Sequence, residues 1–332
     1  MATGPGHPVA PVRVVPTVEE IADAAAHLDP AFARSPLLRG TPLDRTGARV
    51  ELKVETLNPI RSFKGRGAST WMRQVRRTGP EVPGVVCASV GNFGQGLGHA
   101  ARAAGVPCRV FVGASANPLK LDAIRALGAE VEVGGDSYED AIVAARGYAE
   151  RTGQHFVQDG RDPYIAAGAG TIAYELTEDG VRPDVALIPV GNSALILGIA
   201  VWLRHCRPDV RIVGVCAEGA PAPALSWRER RVVSTPGVHT SADGIAVAQP
   251  FEEAVAGMLE YVDDMVLVGE DSLHTAVRLI ADELSLLVEP AGGAGVAALL
   301  DNPEAYAGAQ VFTPLCGGHL HPGTLTWSWP EV

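Results

Sequence analysis

The sequence predicts an α/β protein of two lobes, each built on an open, mainly parallel sheet, with a ligand cleft between them. Three observations predict it. From Val50 onward, short β-branched runs alternate with Ala-rich segments of helical period, the pattern of successive βαβ units. Several of those runs end in a Gly-rich turn that opens the next helix, and in open α/β sheets such strand ends are where ligands bind. The chain has 332 residues, more than one hydrophobic core usually organises, so a division into two units follows.

Taken in order, the predicted strands are Val50–Val54, Val85–Ala88, Arg109–Val112, Glu130–Val133, Val185–Pro189, Arg211–Cys216, Met265–Val268 and Gln310–Thr313. The helices between them are clearest over Gly96–Ala104, Pro118–Leu127, Tyr138–Arg151, Gly168–Leu176, Leu195–Cys206, Ser272–Leu284 and Gly292–Leu300. Ala220–Gly237, with its Pro and Arg clusters, reads as a long surface loop. No internal repeat or low-complexity linker interrupts the alternation.

Composition narrows the function classes. A net charge of −11 provides no basic footprint for a phosphate backbone or an anionic lipid surface, so nucleic acid and membrane are not expected partners. No stretch approaches the roughly 20 uninterrupted apolar residues of a membrane span. Met1–Pro16 lacks the charged start and apolar run of a secretory signal and reads as a loose tail on a cytoplasmic protein. Cys87, Cys108, Cys206, Cys216 and Cys316 are odd in number, widely spaced and without a CxxC pair, which fits neither a disulfide framework nor a zinc site. The four other than Cys316 are expected to be inert core thiols.

Four stretches carry chemistry. In Asn58–Ala68 (NPIRSFKGRGA), Lys64 follows a strand and opens a helix, where the positive end of the helix favours the neutral amine that attacks an aldehyde. Taken alone, it is equally a solvated lysine in a basic turn beside Arg61 and Arg66. In Ser89–Gly98 (SVGNFGQGLG), a Gly-rich loop between strand and helix presents N–H groups to a carboxylate or phosphate. Its glycines at 91, 94, 96 and 98 do not fit the dinucleotide spacing GxGxxG, and no Rossmann fingerprint with a downstream acid is found elsewhere, which argues against a nicotinamide dehydrogenase. Pro189–Leu195 (PVGNSAL) is either a plain βα turn or a phosphate loop. In Thr313–His319 (TPLCGGH), Cys316 stands at a strand end before two glycines, the place of a core thiol unless a site surrounds it.

In this order the four stretches together resemble the fold-type II pyridoxal-phosphate (PLP) enzymes, the tryptophan synthase β-like fold, and the SFKGRGA spelling is similar to the threonine/serine dehydratase and serine racemase branch. Ala242–Ile245 (ADGI) and Val288–Gly293 (VEPAGG) resemble two further segments of that family, and the likeness runs from about Ser35 to His319. The resemblance implies two open, mainly parallel-sheet domains with the cofactor in the cleft between them: residues 1–78 and 160–332 form the large PLP-binding domain, and 79–159 the small domain with the Ser-x-Gly-Asn loop. It implies that Lys64 carries PLP as a Schiff base beside Phe63 and takes the substrate Cα proton, with Ser89 as the second catalytic residue. Asn92 would hold the ring hydroxyl, Gly191, Asn192, Ser193, Ala194 and Leu195 the phosphate, Cys316 the ring nitrogen, and Gly244 and Glu289 would line the cofactor. The substrate would meet Ser62, Ser89, Gly91, Asn92, Phe93 and Arg61. The implied reaction is loss of water from L-threonine or L-serine, giving a 2-oxo acid and ammonia. A β-replacement synthase making a β-substituted alanine shares the fold and is the alternative. A non-catalytic PLP-binding protein would keep Lys64 but lose the groups around it, whereas Asn92 and Cys316 are both present.

The departures from the family pattern are specific. GNSA replaces a run of glycines, Phe93 stands where His is usual, and Arg61 where Gly is usual. Arg61 either selects a substrate with a second anion or a carbamoyl-like group, or faces solvent. Glu218 matches the first ligand of the branch's divalent-cation site, but Ala220–Leu225 holds no carboxylate, so no tight metal site is expected and a monovalent ion stays open. Val90 replaces the second serine of the racemases, so we expect elimination without racemisation. Only a short tail follows His319, so neither a regulatory domain nor isoleucine feedback is expected. A homodimer is expected.

Overall fold

The computed structural model describes residues 12–320 except Pro80, Val90, Ser115 and Asn117. Val90 and the first eleven residues of the predicted tail therefore lie outside the described residues. The strands are β1 (Leu37–Leu38), β2 (Arg49–Val54), β3 (Val85–Ala88), β4 (Cys108–Gly113), β5 (Glu130–Gly135), β6 (His155–Phe156), β7 (Val185–Pro189), β8 (Arg211–Ala217), β9 (Asp264–Val268) and β10 (Gln310–Leu315). They form two sheets. One has the order β1-β2-β10-β7-β8-β9, parallel except for β1, and the other the order β5-β4-β3-β6, parallel throughout. The α/β class predicted from the alternation is the one observed.

The helices are α1 (Val18–Ala26), α2 (Lys64–Thr78), α3 (Asn92–Ala104), α4 (Pro118–Ala126), α5 (Tyr138–Thr152), α6 (Pro163–Glu178), α7 (Ala194–Cys206), α8 (Ala222–Glu229), α9 (Glu252–Tyr261), α10 (Glu270–Leu284) and α11 (Pro290–Asp301). They cover both faces of the larger sheet, which is why its strands read as continuous apolar runs. Along β7 the two-residue period sorts the side chains: Ala186 and Ile188 join the core under α6 and α7, while Val185 and Leu187 join the core with α10 and α11. Each fully buried Leu or Ile there contributes roughly 1.5–3 kcal/mol. The four-stranded sheet has its own core, with Val85, Cys87, Val110, Leu97 and Ile124 on one face and Val86, Phe111, Ala141 and Ala145 on the other. No helix among the described residues is long and apolar enough to cross a membrane.

Close helix crossings fix where the chemistry-bearing loops sit. A side chain at Gly198 of α7 would put its Cβ 2.1 Å from Ala166 O, and one at Gly168 of α6 would lie 2.4 Å from Arg66 O. Glycine at these two positions lets α6 bind both α2 and α7 backbone to backbone, which locks Lys64 and the loop before α7 into one frame.

Three expectations need correction. The predicted loop over Ala220–Gly237 contains α8, whose Ala222, Ala224 and Ser226 are buried; apolar contacts on one face outweigh the prolines and arginines of the other. Residues 12–16 of the predicted loose tail are tied down: Val14 is buried in the main core and Arg13 pairs with Glu20. Helix α3 starts at Asn92, four residues before the predicted start, because the Ser89 hydroxyl accepts from Gly94 N at 3.1 Å and satisfies the first turn. The helices α1 and α9 were not anticipated, although Thr17 and Glu20 form a capping box that the sequence displays.

Candidate active site

Lys64 is the first residue of α2, and its N-cap residue, Phe63, has no capping side chain. Lys64 therefore stands at the positive end of the helix. The preceding turn is stitched to the end of β10: Phe63 N donates to Cys316 O at 3.2 Å, the Ser62 hydroxyl donates to the same oxygen at 3.2 Å, and Lys64 N donates to Ser62 Oγ at 3.3 Å. Lys64 Nζ stands 4.7 Å over the Phe63 ring and 2.6 Å from Asp159 Oδ2, with both charged side chains only 14% exposed. Asp159 was missed in the sequence. It lies in an ordinary turn between β6 and α6, and nothing local marks it.

The other strand-end loops come together beside this pair, with Asn192 Nδ2 3.4 Å from Asp159 Oδ2. A Cβ at Gly191 would lie 2.9 Å from Gly244 O, one at Gly160 would lie 2.2 Å from Asn192 O, and one at Gly317 would lie 2.1 Å from Glu289 Oε1 and 3.1 Å from Asn92 Nδ2. Asn92 Nδ2 donates to Glu289 Oε1 at 2.7 Å, and His319 N donates to Glu289 Oε2 at 3.2 Å. Burial, with Asp243 adding like charge, pushes the Glu289 carboxyl up to about 7. Burial also pushes the Cys316 thiol far up, so the group is neutral; its Sγ donates to Ala291 O at 3.6 Å. At the rim Lys120, from α4, pairs with Asp243 of the ADGI segment.

Several predicted site residues stand elsewhere than expected. Ser62 is fully buried and bonded to the main chain, which leaves it no face toward a substrate. Phe93 points inward with Trp71, Met72 and Leu97 in the core of the smaller sheet, because position 93 falls on the same helix face as 97 and 101. Gly91 N, expected to meet a carboxylate, donates to Ser89 Oγ at 3.3 Å. Leu195 buries its side chain in the main core and offers the cleft only backbone. Arg61 has φ of +47°, its carbonyl accepts from Gly318 N, and its exposed guanidinium has no hydrogen-bond partner among the described residues.

These residues fit a phosphate-bearing aldehyde. Ser193 has φ of +66° directly ahead of α7. Among the described residues no protein acceptor takes the N–H groups of Gly191, Asn192 or Ser193, an anion nest at a helix start. The space a Cβ would occupy at Gly91 is open, and the neutral thiol of Cys316 suits an uncharged ring nitrogen. Behind Lys64, on the far side of α2, Arg66 is fully buried. It binds Glu55 (Nε, 2.8 Å), Glu175 (Nη1, 2.7 Å), Thr171 (Nη1, 2.9 Å) and Ser35 (Nη2, 3.1 Å), while Lys53 pairs with Glu175 at 2.8 Å.

Residues 28–317 match the family described as pyridoxal-phosphate dependent enzyme. The L-threonine ammonia-lyase of Thermotoga maritima is 34% identical over 305 residues, covering 92% of this chain and 76% of that protein. The L-threonine ammonia-lyase of Geobacter sulfurreducens is 36% identical, covering 85% of this chain and 70% of its own. Among solved structures, maize serine racemase superposes with a TM-score of 0.88 at 25% identity, covering 93% of this chain and 95% of that one. A threonine deaminase from T.th. superposes with a TM-score of 0.86 at 30% identity, covering 92% of this chain and 99% of that one.

Proposed function

The chain belongs to the pyridoxal-phosphate dependent enzymes, and from that premise we infer that it is a PLP-dependent lyase that removes water from L-threonine or L-serine, releasing a 2-oxo acid and ammonia. The observation that carries this reading is a lysine amine opening α2 inside the cleft, opposite a neutral thiol and beside an unspent anion nest. Ammonia-lyase relatives that cover most of the chain support the same reaction.

Bound PLP supplies an aldehyde for the amino group and a ring that draws electrons away from Cα. Lys64 Nζ would be its covalent anchor and the base that takes the Cα proton. The N–H groups of Gly191, Asn192, Ser193, Ala194 and Leu195 would hold the phosphate. The second N–H of the Asn92 amide would be left for the ring hydroxyl, the first being engaged by Glu289. Gly244 and Glu289 would wall the cofactor. Cys316, as a neutral thiol, cannot hold a proton on the ring nitrogen, which disfavours a long-lived carbanion and favours prompt loss of the β-substituent. With Gly91 N engaged, the Ser89 hydroxyl proton and the N–H of Asn92 are the donors left for the substrate carboxylate. Residues 79–159 act as the small domain that brings these donors to the cleft.

The same reading includes a cytoplasmic homodimer. Leu57 and Leu287 are exposed, and the main chain of Leu287 and the side chain of Thr56 border Gly318, which supports a subunit contact on this side; sedimentation at micromolar concentration tests it. The reaction is tested by offering the purified yellow protein a panel of β-hydroxy and β-substituted amino acids. Release of 2-oxo acid from threonine or serine is expected, and a product retaining an added nucleophile would point to β-replacement instead.

A further inference from the structure

We propose that Asp159 is the positioning residue of Lys64: its carboxylate, 2.6 Å from Nζ, fixes where that nitrogen waits and faces the charge that forms there when Nζ takes a proton. The proposal rests on the reading of Lys64 as anchor and base. Amine and carboxylate arrive from different sheets. Lys64 is tied through Ser62 and Phe63 to the end of β10, while Asp159 follows β6, whose chain continues into the bond from Val157 N to Val86 O at 2.7 Å. The turn carrying Asp159 has little freedom to shift, since Gly160, at φ of +78°, packs directly on Asn192 O.

The pair differs from a structural ion pair in what it leaves unspent. Oδ2 takes the Lys64 amine at 2.6 Å and lies 3.4 Å from the Asn192 amide, while Oδ1 is buried with no partner among the described residues. Tyr138, whose hydroxyl donates to Ala88 O at 3.4 Å, has its phenol pushed up by burial and by the Asp159 charge, so it offers no competing anion. A carboxylate held in this way costs free energy unless a cation stays beside it. In the elimination, the lone pair of Nζ takes the Cα proton, and the C–H electron pair forms the Cα–Cβ double bond. The Cβ–O bond breaks with its pair on oxygen, which takes that proton from Nζ and leaves as water. Asp159 accepts no proton; it offsets the ammonium charge during the interval when Nζ holds one.

The test uses wild-type protein, Asp159→Asn and Asp159→Glu, each stripped of cofactor and checked by thermal melting. Growth of the visible absorption after adding PLP near neutral pH reports capture by Lys64, and steady-state kinetics with L-threonine are measured after reloading. Asp159→Asn is expected to capture PLP about fivefold faster, because its amine is no longer bound to a carboxylate and is free to reach the aldehyde, while kcat falls about tenfold and KM changes less than about threefold. Asp159→Glu is expected to recover part of kcat. Capture by folded Asp159→Asn that is no faster than wild type, or an unchanged kcat, overturns the proposal. If Asp159→Asn does not fold, the kcat and KM of Asp159→Glu decide: a kcat equal to wild type overturns it, and a reduced kcat at constant KM supports it. Borohydride fixing the cofactor of the wild-type protein to a lysine other than Lys64 would sink the parent reading and the proposal with it, which separates the two failures.

Discussion

Lys64 and Arg66 stand two residues apart in the first turn of α2 and carry the same charge, yet their surroundings differ completely. Arg66 has no exposed surface and meets Glu55, Glu175, Thr171 and Ser35, and Lys53 completes a quartet with two positive and two negative charges. Burial works against the guanidinium charge, but Glu55 and Glu175 more than offset it. Among the described residues, Lys64 meets one carboxylate, whose second oxygen is left without a partner. A cation with its donors all engaged holds helices together, whereas one held by a single bond can exchange that bond for a reaction. The difference separates scaffold from chemistry within one turn of helix.

The comparison breaks first at Lys64. Lys64→Ala is expected to lower kcat by about three orders of magnitude or more, since it removes both anchor and base, while the stability it loses by leaving Asp159 without its cation stays well below that of Arg66→Met. Arg66→Met is expected to do the reverse. It leaves Glu55 and Glu175 facing a deficit of charge in a dry site, and a loss of about 3–5 kcal/mol of stability is expected, measurable by urea unfolding. A large loss of stability in Lys64→Ala, or none in Arg66→Met, would erase the distinction.

How much of this was legible in sequence follows from the same two residues. The SFKGRGA run was readable, and so was Lys64 at the start of a helix, because strand, turn and helix are encoded by neighbouring residues. Which side of α2 each cation faces was not, because it depends on α6 packing backbone to backbone at Gly168. Asp159 was invisible for a similar reason: its partner is 95 positions away and no local pattern announces it. Phe93 could have been placed correctly, since its spacing to Leu97 and Ala101 already marks the buried face of a helix; reading the glycines as a loop concealed that period. Arg61, which the sequence left between the substrate and solvent, sits in a left-handed turn with its side chain exposed, a backbone conformation that composition alone does not reveal.

Glu289 extends the comparison to a carboxyl group. Its folded form is pushed up to about 7 from the ordinary 4.5, chiefly by burial. The folded state therefore binds a proton that the unfolded state has released between those values, and stability falls as pH rises through that window and levels off above about 7. A loss on the order of 3 to 3.5 kcal/mol across the window is the upper bound set by the size of the shift. Glu289→Gln, which cannot ionise, is expected to flatten the slope of unfolding free energy between about pH 4.5 and 7, measured with the cofactor removed so that only protein groups titrate. An unchanged slope would mean that Glu289 is not the group responsible.

The smallest effect is expected at Cys316, and the reason returns to the contrast between groups that carry charge and groups that avoid it. Its thiol is buried at the edge of the main core, neutral and bonded weakly to Ala291 O, so what it would offer a bound ring is a hydrogen-bonding atom without a charge. Serine preserves that property in a smaller atom. Cys316→Ser is expected to keep kcat within about fivefold of wild type, because only the length and strength of one hydrogen bond change. Cys316→Asp introduces a carboxylate at the same point, which would hold a proton on the ring nitrogen and lengthen the life of the carbanion, so flux should divert from 2-oxo acid release toward Cα proton exchange. The ratio of deuterium incorporated at Cα of recovered threonine to 2-oxo acid formed measures that diversion in deuterated water. Equal inactivation by both substitutions, with no change in the ratio, would place Cys316 in the core and outside the chemistry.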